Sequence, residues 1–324
     1  VSTFCLTVVP PVEDARARRP KDVILLLDRS GSMEGWKMVA ARRATARMID
    51  TLTPLDRFAV YAFDDQIDTP ASFGGRDLVF ASDRNRFRAV EFLAKLESRG
   101  GTELAQPLQL ASRALLSSSS SSGAGDVRDR VLVLVTDGQV GNEDQLLRTL
   151  GADLARLRVF TLGIDQAVNA AFLRRMAAMG GGSCELVESE DRLDEVMDKV
   201  HRRIDTPVLS DVRLTAEGME LLAFTVVPAR LPDLFPGAPL TVLGRCRGSG
   251  AIQTAERAAL GPGLAPSQGS ITVRAVDASG MRYGDTLAPT LREEARGARA
   301  ITSAWARGLV RQLEDRYLIS VSYT

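Results

Sequence analysis

One histidine in 324 residues leaves little room for histidine-based catalysis. That residue, His201, lies beside Arg202 and Arg203 in an amphipathic segment and reads as a solvated helix position. The three cysteines, Cys5, Cys184 and Cys246, are far apart. Their odd number and their spacing argue against a disulfide framework and against a cysteine metal site. They read as small buried or half-buried side chains. Lys+Arg and Asp+Glu both number 41, and no basic run is interleaved with aromatics, so nucleic acid has no compositional support as a partner. No uninterrupted apolar stretch reaches about 18 residues, so no segment reads as a membrane span.

Several catalytic signatures are missing as well. The turn after the first strong apolar run is Asp28-Arg29-Ser30-Gly31-Ser32-Met33, which is not the glycine pattern of a dinucleotide-binding loop. No P-loop pattern occurs. An aspartyl phosphatase would carry a second acid where this chain has Ser30. A nucleophile elbow fails at Glu185, where its last glycine would stand. The expectation is therefore a protein that is not an enzyme.

What is present is length, an apolar content of 45% and a regular alternation. These suffice for a sizeable core and suggest more than one domain. Residues 22–28, 57–65, 130–138 and 158–164 are nearly continuous apolar runs, as expected of strands buried on both faces. Residues 184–189 suggest a short fifth strand. Helical spacing covers 38–52, 84–98, 103–117, 142–157, 169–182 and 191–204, with Asn142 placed to cap its helix. This order predicts an α/β fold, a Rossmann-like, doubly wound and mostly parallel sheet. A serine-rich tract at 117–126 reads as a surface loop.

From Pro207 the texture changes to short strands separated by glycine and proline. Residues 211–216, 222–229, 240–247, 251–260 and 270–277 suggest a small β-rich module. The expected division is 1–19 as a strand and linker joining that module, 20–205 as the α/β domain, 206–290 as the β-rich module, and 291–324 as a C-terminal helix ending in a strand at 317–324. Leu234 and Phe235, set between prolines, read as a hydrophobic plug between the two parts, with a partner-docking edge as the alternative. Val1 looks like mid-strand, so a preceding segment is expected to be missing. No signal peptide is visible, and neither an extracellular nor a cytoplasmic location is favoured.

Ligands of an open parallel sheet bind at the carboxyl ends of its strands. Asp28 and Asp137 both stand there. Gly31 permits a sharp turn, and alternation lets Asp28, Ser30 and Ser32 point to one side while Arg29 points away. Gly100 and Gly101 place Thr102 in a loop just ahead of a helix. Two carboxylates and three hydroxyls form a set of hard oxygen donors, suited to magnesium, manganese or calcium rather than zinc or copper. So few carboxylates leave such an ion under-neutralised and open to one more anion. Taken alone, the Asp28–Ser32 turn would equally serve as a helix cap.

These residues carry a family resemblance. The segments Asp28–Met33, Gly100–Thr102 and Thr136–Gly138 resemble the metal-ion-dependent adhesion site of von Willebrand factor type A domains. The resemblance implies Ser30, Ser32 and Thr102 as direct ligands of a divalent cation, Mg2+ or else Mn2+ or Ca2+. It implies Asp28 and Asp137 as ligands bound directly or through water. It also implies a protein partner that presents an acidic side chain. Residues 4–11, 229–248 and 304–314 resemble the flanks of that domain in inter-alpha-trypsin inhibitor heavy-chain-like proteins, whose N-terminal VIT domain is absent here. The alternative is an intracellular assembly or scaffold component that docks through this domain, with the metal site structural or inactive.

Overall fold

Apolar runs without alternation form strands buried on both faces, and they build the larger of two units. The computed structural model describes residues 1–10, 19–75, 78–117, 128–138, 143–193, 195–196, 207–248, 264–266, 269–277, 279–292 and 295–320. One unit comprises Val1–Ala17 with Pro207–Thr324, and the other Arg18–Thr206. The first strand, β1 (Ser2–Val8), belongs to the former.

The chain then lays down β2 (Lys21–Asp28), α1 (Trp36–Asp50), β3 (Arg57–Phe63), β4 (Ile67–Asp68), β5 (Val79–Phe80) and α2 (Asp83–Ala94). It continues through α3 (Ala105–Ser117), β6 (Asp129–Thr136), α4 (Glu143–Leu154), β7 (Arg158–Ile164), α5 (Ala170–Met179) and β8 (Cys184–Val187). The sheet order is β4-β3-β2-β6-β7-β8, with β5 also on β3. Strands β3, β2, β6, β7 and β8 run parallel, while β4 and β5 are antiparallel additions. This is the doubly wound α/β sheet expected from the alternation. Every residue of β2 is buried. Ile24, Leu26, Ala59, Tyr61, Leu132 and Leu134 form one core with α3, α4 and α5, while α1 packs on β2, β6 and β7. The connection after β2 leads to β3 on one side, and that after β6 leads to β7 on the other. The adjoining carboxyl ends of β2 and β6 are thus the topological switch point, where crevices form in such sheets.

The other unit adds β9 (Leu209–Glu217), β10 (Met219–Leu221), β11 (Leu240–Gly248), β12 (Leu264–Pro266), β13 (Ser270–Asp277), β14 (Arg282–Leu287), β15 (Thr290–Arg292) and α6 (Ala295–Ser320). Its sheets are β1-β11-β10 and β14-β13-β9, with β12 paired to β15. Leu6 and Val8 of β1 pack against a core of Val208, Leu209, Val212, Leu234, Val273 and Ala275. The α6 helix is fastened by Trp305, whose indole N–H donates to the Thr225 carbonyl at 2.8 Å and whose ring lies under Arg245. Gln312 also bonds the backbone at Val226 and Ala229.

Three local expectations are corrected. The segment 222–229 is not a strand: it turns at Phe224, whose φ is +60°, and meets β11 through an isolated bridge from Val227 to Leu243 and through hydrogen bonds of Leu222 and Thr225 with the Arg245 backbone. Residues 317–320 continue α6 instead of forming a strand. Their β-branched and aromatic character is outweighed by continuity with a helix already anchored upstream. Cys5 is exposed because Phe4 takes the inward position on β1. The connector at 11–18, the serine tract beyond Ser117, Asn142, residues 197–206 with His201, the run 251–260 and residues 321–324 lie outside the described residues.

The turn from α5 into β8 leaves no room for a side chain. A Cβ on Gly182 would stand 2.0 Å from the Val159 carbonyl oxygen in β7. Backbone cannot move aside as a flexible side chain does, so Gly182→Ala is expected to cost about 3 kcal/mol or more. Urea unfolding followed by far-UV circular dichroism measures this loss.

Candidate metal centre

Four adjacent parallel strands end on aspartate. Asp28 closes β2, Asp64 follows β3, Asp137 follows β6 and Asp165 follows β7. Three of these side chains, Asp28, Asp64 and Asp137, have no exposed surface. Buried carboxylates need hydrogen bonds or opposite charge, and each of the four finds its compensation differently.

The outermost, Asp64, is paired with arginines. Arg29 Nε lies 3.1 Å and Arg99 Nε 2.8 Å from its Oδ2. Both guanidinium groups also reach Asp68. Burial pushes the Asp64 carboxyl up, but the bonds from Arg99 and the Gln66 amide outweigh it and hold it below its ordinary value of 3.8. Arg29 does point away from Asp28 and Ser30, as the alternation suggests, yet it points into a buried ion pair rather than into solvent.

Asp28 has a different environment. Its Oδ1 accepts the Ser30 amide at 2.9 Å, and its Oδ2 accepts the Thr136 hydroxyl at 2.5 Å. Thr136 in turn accepts the Gly138 amide at 2.9 Å, which ties the turn after β6 to the end of β2. Ser30 and Ser32 stand with their hydroxyl oxygens 2.9 Å apart. Burial drives the Asp28 carboxyl up; the Thr136 and Ser30 bonds offset only part of that, and the neighbouring Asp137 pushes the same way.

The loop carrying Thr102 is laced to the same edge by backbone bonds. The Arg99 amide donates to the Arg29 carbonyl at 2.8 Å, and the Gly31 amide to the Gly100 carbonyl at 3.1 Å. The Glu103 amide donates to the Asp64 carbonyl at 2.8 Å. Gly100 has φ +67°, and a Cβ there would meet Asp65 at 2.9 Å, so the loop requires glycine at that position. Thr102 is half-buried between these anchors.

Sequence reasoning singled out Asp28, Ser30, Ser32, Thr102 and Asp137. The structure gathers the first three in one turn, joins Asp137 to them electrostatically and holds the Thr102 loop alongside. It adds Thr136, the Arg29–Asp64–Asp68–Arg99 group, and Lys37 of α1, whose ammonium reaches both Asp137 and Asp165. The strand-ending acids at 64 and 165 carried the signal for the last two.

Among the described residues, no group of three or more His, Cys, Asp or Glu is placed to hold a metal. The donors gathered here are two carboxylates and neutral hydroxyls. Such a set suits a hard divalent ion that keeps waters or takes a further anion.

The comparisons agree on kind. The model of the von Willebrand factor type A domain matches residues 22–199. The chain is 27% identical over 236 residues to inter-alpha-trypsin inhibitor heavy chain H4 of Homo sapiens, an alignment covering 71% of this chain and 25% of that one. It is 26% identical over 252 residues to von Willebrand factor A domain-containing protein 5B1 of Mus musculus, covering 75% and 19%. It therefore spans a quarter or less of the length of these relatives. Among solved structures, the von Willebrand factor type A protein from Catenulispora acidiphila superposes with a TM-score of 0.62 at 21% identity, covering 92% of this chain and 71% of that one.

Two outcomes follow from the electrostatics. A raised Asp28 favours the folded state while protonated, and that contribution is lost as pH rises from 3.8 through the folded value. In EDTA at neutral pH, Asp28→Asn is therefore expected to gain on the order of 1 kcal/mol, as relief of strain stored at a functional site commonly does; differential scanning calorimetry reads it. Asp64 has the opposite sign, since its stabilisation is present above 3.8 and lost as pH falls through its lowered value. Asp64→Asn should cost about 3 kcal/mol at neutral pH, by removing one side of a buried pair. The gap to wild type should close in acid, as a denaturation series between about pH 7 and pH 2 would show.

Proposed function

The chain belongs to the von Willebrand factor type A domain family, and from that premise we propose that it is a divalent-cation-dependent protein-binding module rather than an enzyme. One observation carries this reading. Two carboxylates without exposed surface, Asp28 and Asp137, meet at the switch point of the sheet, and Asp28 is short of positive charge there. Asp28 and Asp137 set the charge of the centre. Ser30 and Ser32 from the turn after β2, with Thr102 from the loop before α3, would complete a hard-oxygen shell for Mg2+, Mn2+ or Ca2+. A divalent ion held there supplies a Lewis-acidic position for an acidic side chain of a partner protein.

The chain's own residues do the rest. Thr136 and the Ser30 amide orient the Asp28 carboxylate through both of its oxygens. The arginine–aspartate group holds the turn and the Thr102 loop in register, so the donors are preorganised and little ordering remains to be done on binding.

Calorimetric titration of the EDTA-stripped protein with magnesium, manganese and calcium tests the reading, alongside Asp28→Ala. The expected result is saturable binding of one ion per chain in the wild type and none in the variant, with both folded by circular dichroism. Equal ion binding by wild type and variant would remove the proposed ligand set.

A further inference from the structure

Lys37 stands in the first turn of α1, and its ammonium bridges two strand-end carboxylates. It lies 3.2 Å from Oδ2 of Asp137 and 3.1 Å from Oδ2 of Asp165. Its side chain is only 13% exposed, so solvent screens these charges weakly. Nothing in the donor set proposed above calls for a lysine, and a fixed positive charge opposes the entry of a second one.

We propose that Lys37 is a tethered counter-cation of this centre: it neutralises Asp137 in the metal-free protein, is retained by Asp165, and sets metal affinity by competing for Asp137. This rests on the metal-binding reading above and deepens it.

The geometry of Asp165 supports a retaining role. Its Oδ1 accepts the Gln166 amide at 2.6 Å, and its own amide donates to Val187 of β8 at 3.1 Å, so the carboxylate is a fixed post. Its second oxygen is the one that takes Lys37. Burial pushes Asp165 up, but the Lys37 and Gln166 bonds outweigh it, leaving it ionised as a partner for the lysine. An ammonium is a compact charge with three rotatable donors. It can keep its bond to Asp165 while releasing Asp137, which a guanidinium fork matched to both carboxylates would not do as readily. Lys37 places one positive charge between Asp137 and Asp165, which lowers the repulsion among the strand-end carboxylates in the absence of metal. A competing lysine and a merely structural one differ in sign. Removing a competitor strengthens metal binding, whereas removing a structural support weakens it.

The test is calorimetric titration of the EDTA-stripped full chain with MnCl2 and with MgCl2, for wild type, Lys37→Met, Asp165→Asn and the double variant. Lys37→Met is expected to bind manganese about tenfold tighter or more, from loss of a like charge near the ion. Asp165→Asn is expected to bind several-fold more weakly, because the lysine then rests on Asp137 alone. In the Lys37→Met background the Asp165→Asn substitution should have a smaller effect, the mark of a residue acting through another. Saturable wild-type binding with unchanged or weaker binding by Lys37→Met would overturn the role of Lys37 and leave the metal centre standing. Absence of binding in wild type and in every variant would overturn the metal reading and this inference with it.

Discussion

The central strand of the larger unit ends on a carboxylate that water does not reach. Asp28 must therefore draw from neighbouring chain what solvent would have supplied. This one requirement organises the segments around it. The turn after β2 folds back so that the Ser30 amide can donate, and Thr136 is held at the end of β6 to supply a hydroxyl. The compensation is incomplete, and on the metal-binding proposal this shortfall is what would favour a cation at the edge. A fully satisfied carboxylate would stabilise the fold better and bind less.

Charge is graded across the four strand ends. Asp64 at one side is held by two arginines, and Asp165 at the other by a lysine and a backbone amide. Between them, Asp28 relies on neutral donors, and Asp137 shares its lysine. The outer pairs join segments distant in sequence. The inner pair is where a divalent charge lowers the energy most. Such a gradient would let one row of aspartates contribute to both folding and the proposed recognition without each member serving both ends.

Much of the larger unit was legible because its strands are buried on both faces, and such strands announce themselves as unbroken apolar runs. The two-residue strands β4 and β5 were not legible, since nothing in so short a segment distinguishes pairing from turn. Strand β14 was missed for a different reason: all its residues are exposed, so no alternation marks a buried face. Conversely, 222–229 carries strand-like residues but turns at Phe224, and 317–320 carries them within a helix. At the centre, Asp28, Ser30 and Ser32 were readable together because one turn contains them. Lys37 with Asp165, and Arg29 with Asp64, were not, because strand order rather than sequence distance makes them neighbours. The acids at 64 and 165 stand after strands in the same way as those at 28 and 137, and that recurrence was the available clue.

The register of β2 has a consequence for how the centre opens. It is paired along nearly all of its length with β3 on one side and with β6 on the other, so its amides should be among the last in the unit to exchange with deuterium. Asp28 sits at the end of that slow segment, while Ser32 and Thr102 sit on turns joined by a few backbone bonds. Fluctuations that admit or release an ion would thus be local openings of the turns about a fixed carboxylate. On the metal-binding proposal, the exchange kinetics of the ion would then be set by the turns and not by the strand that carries Asp28.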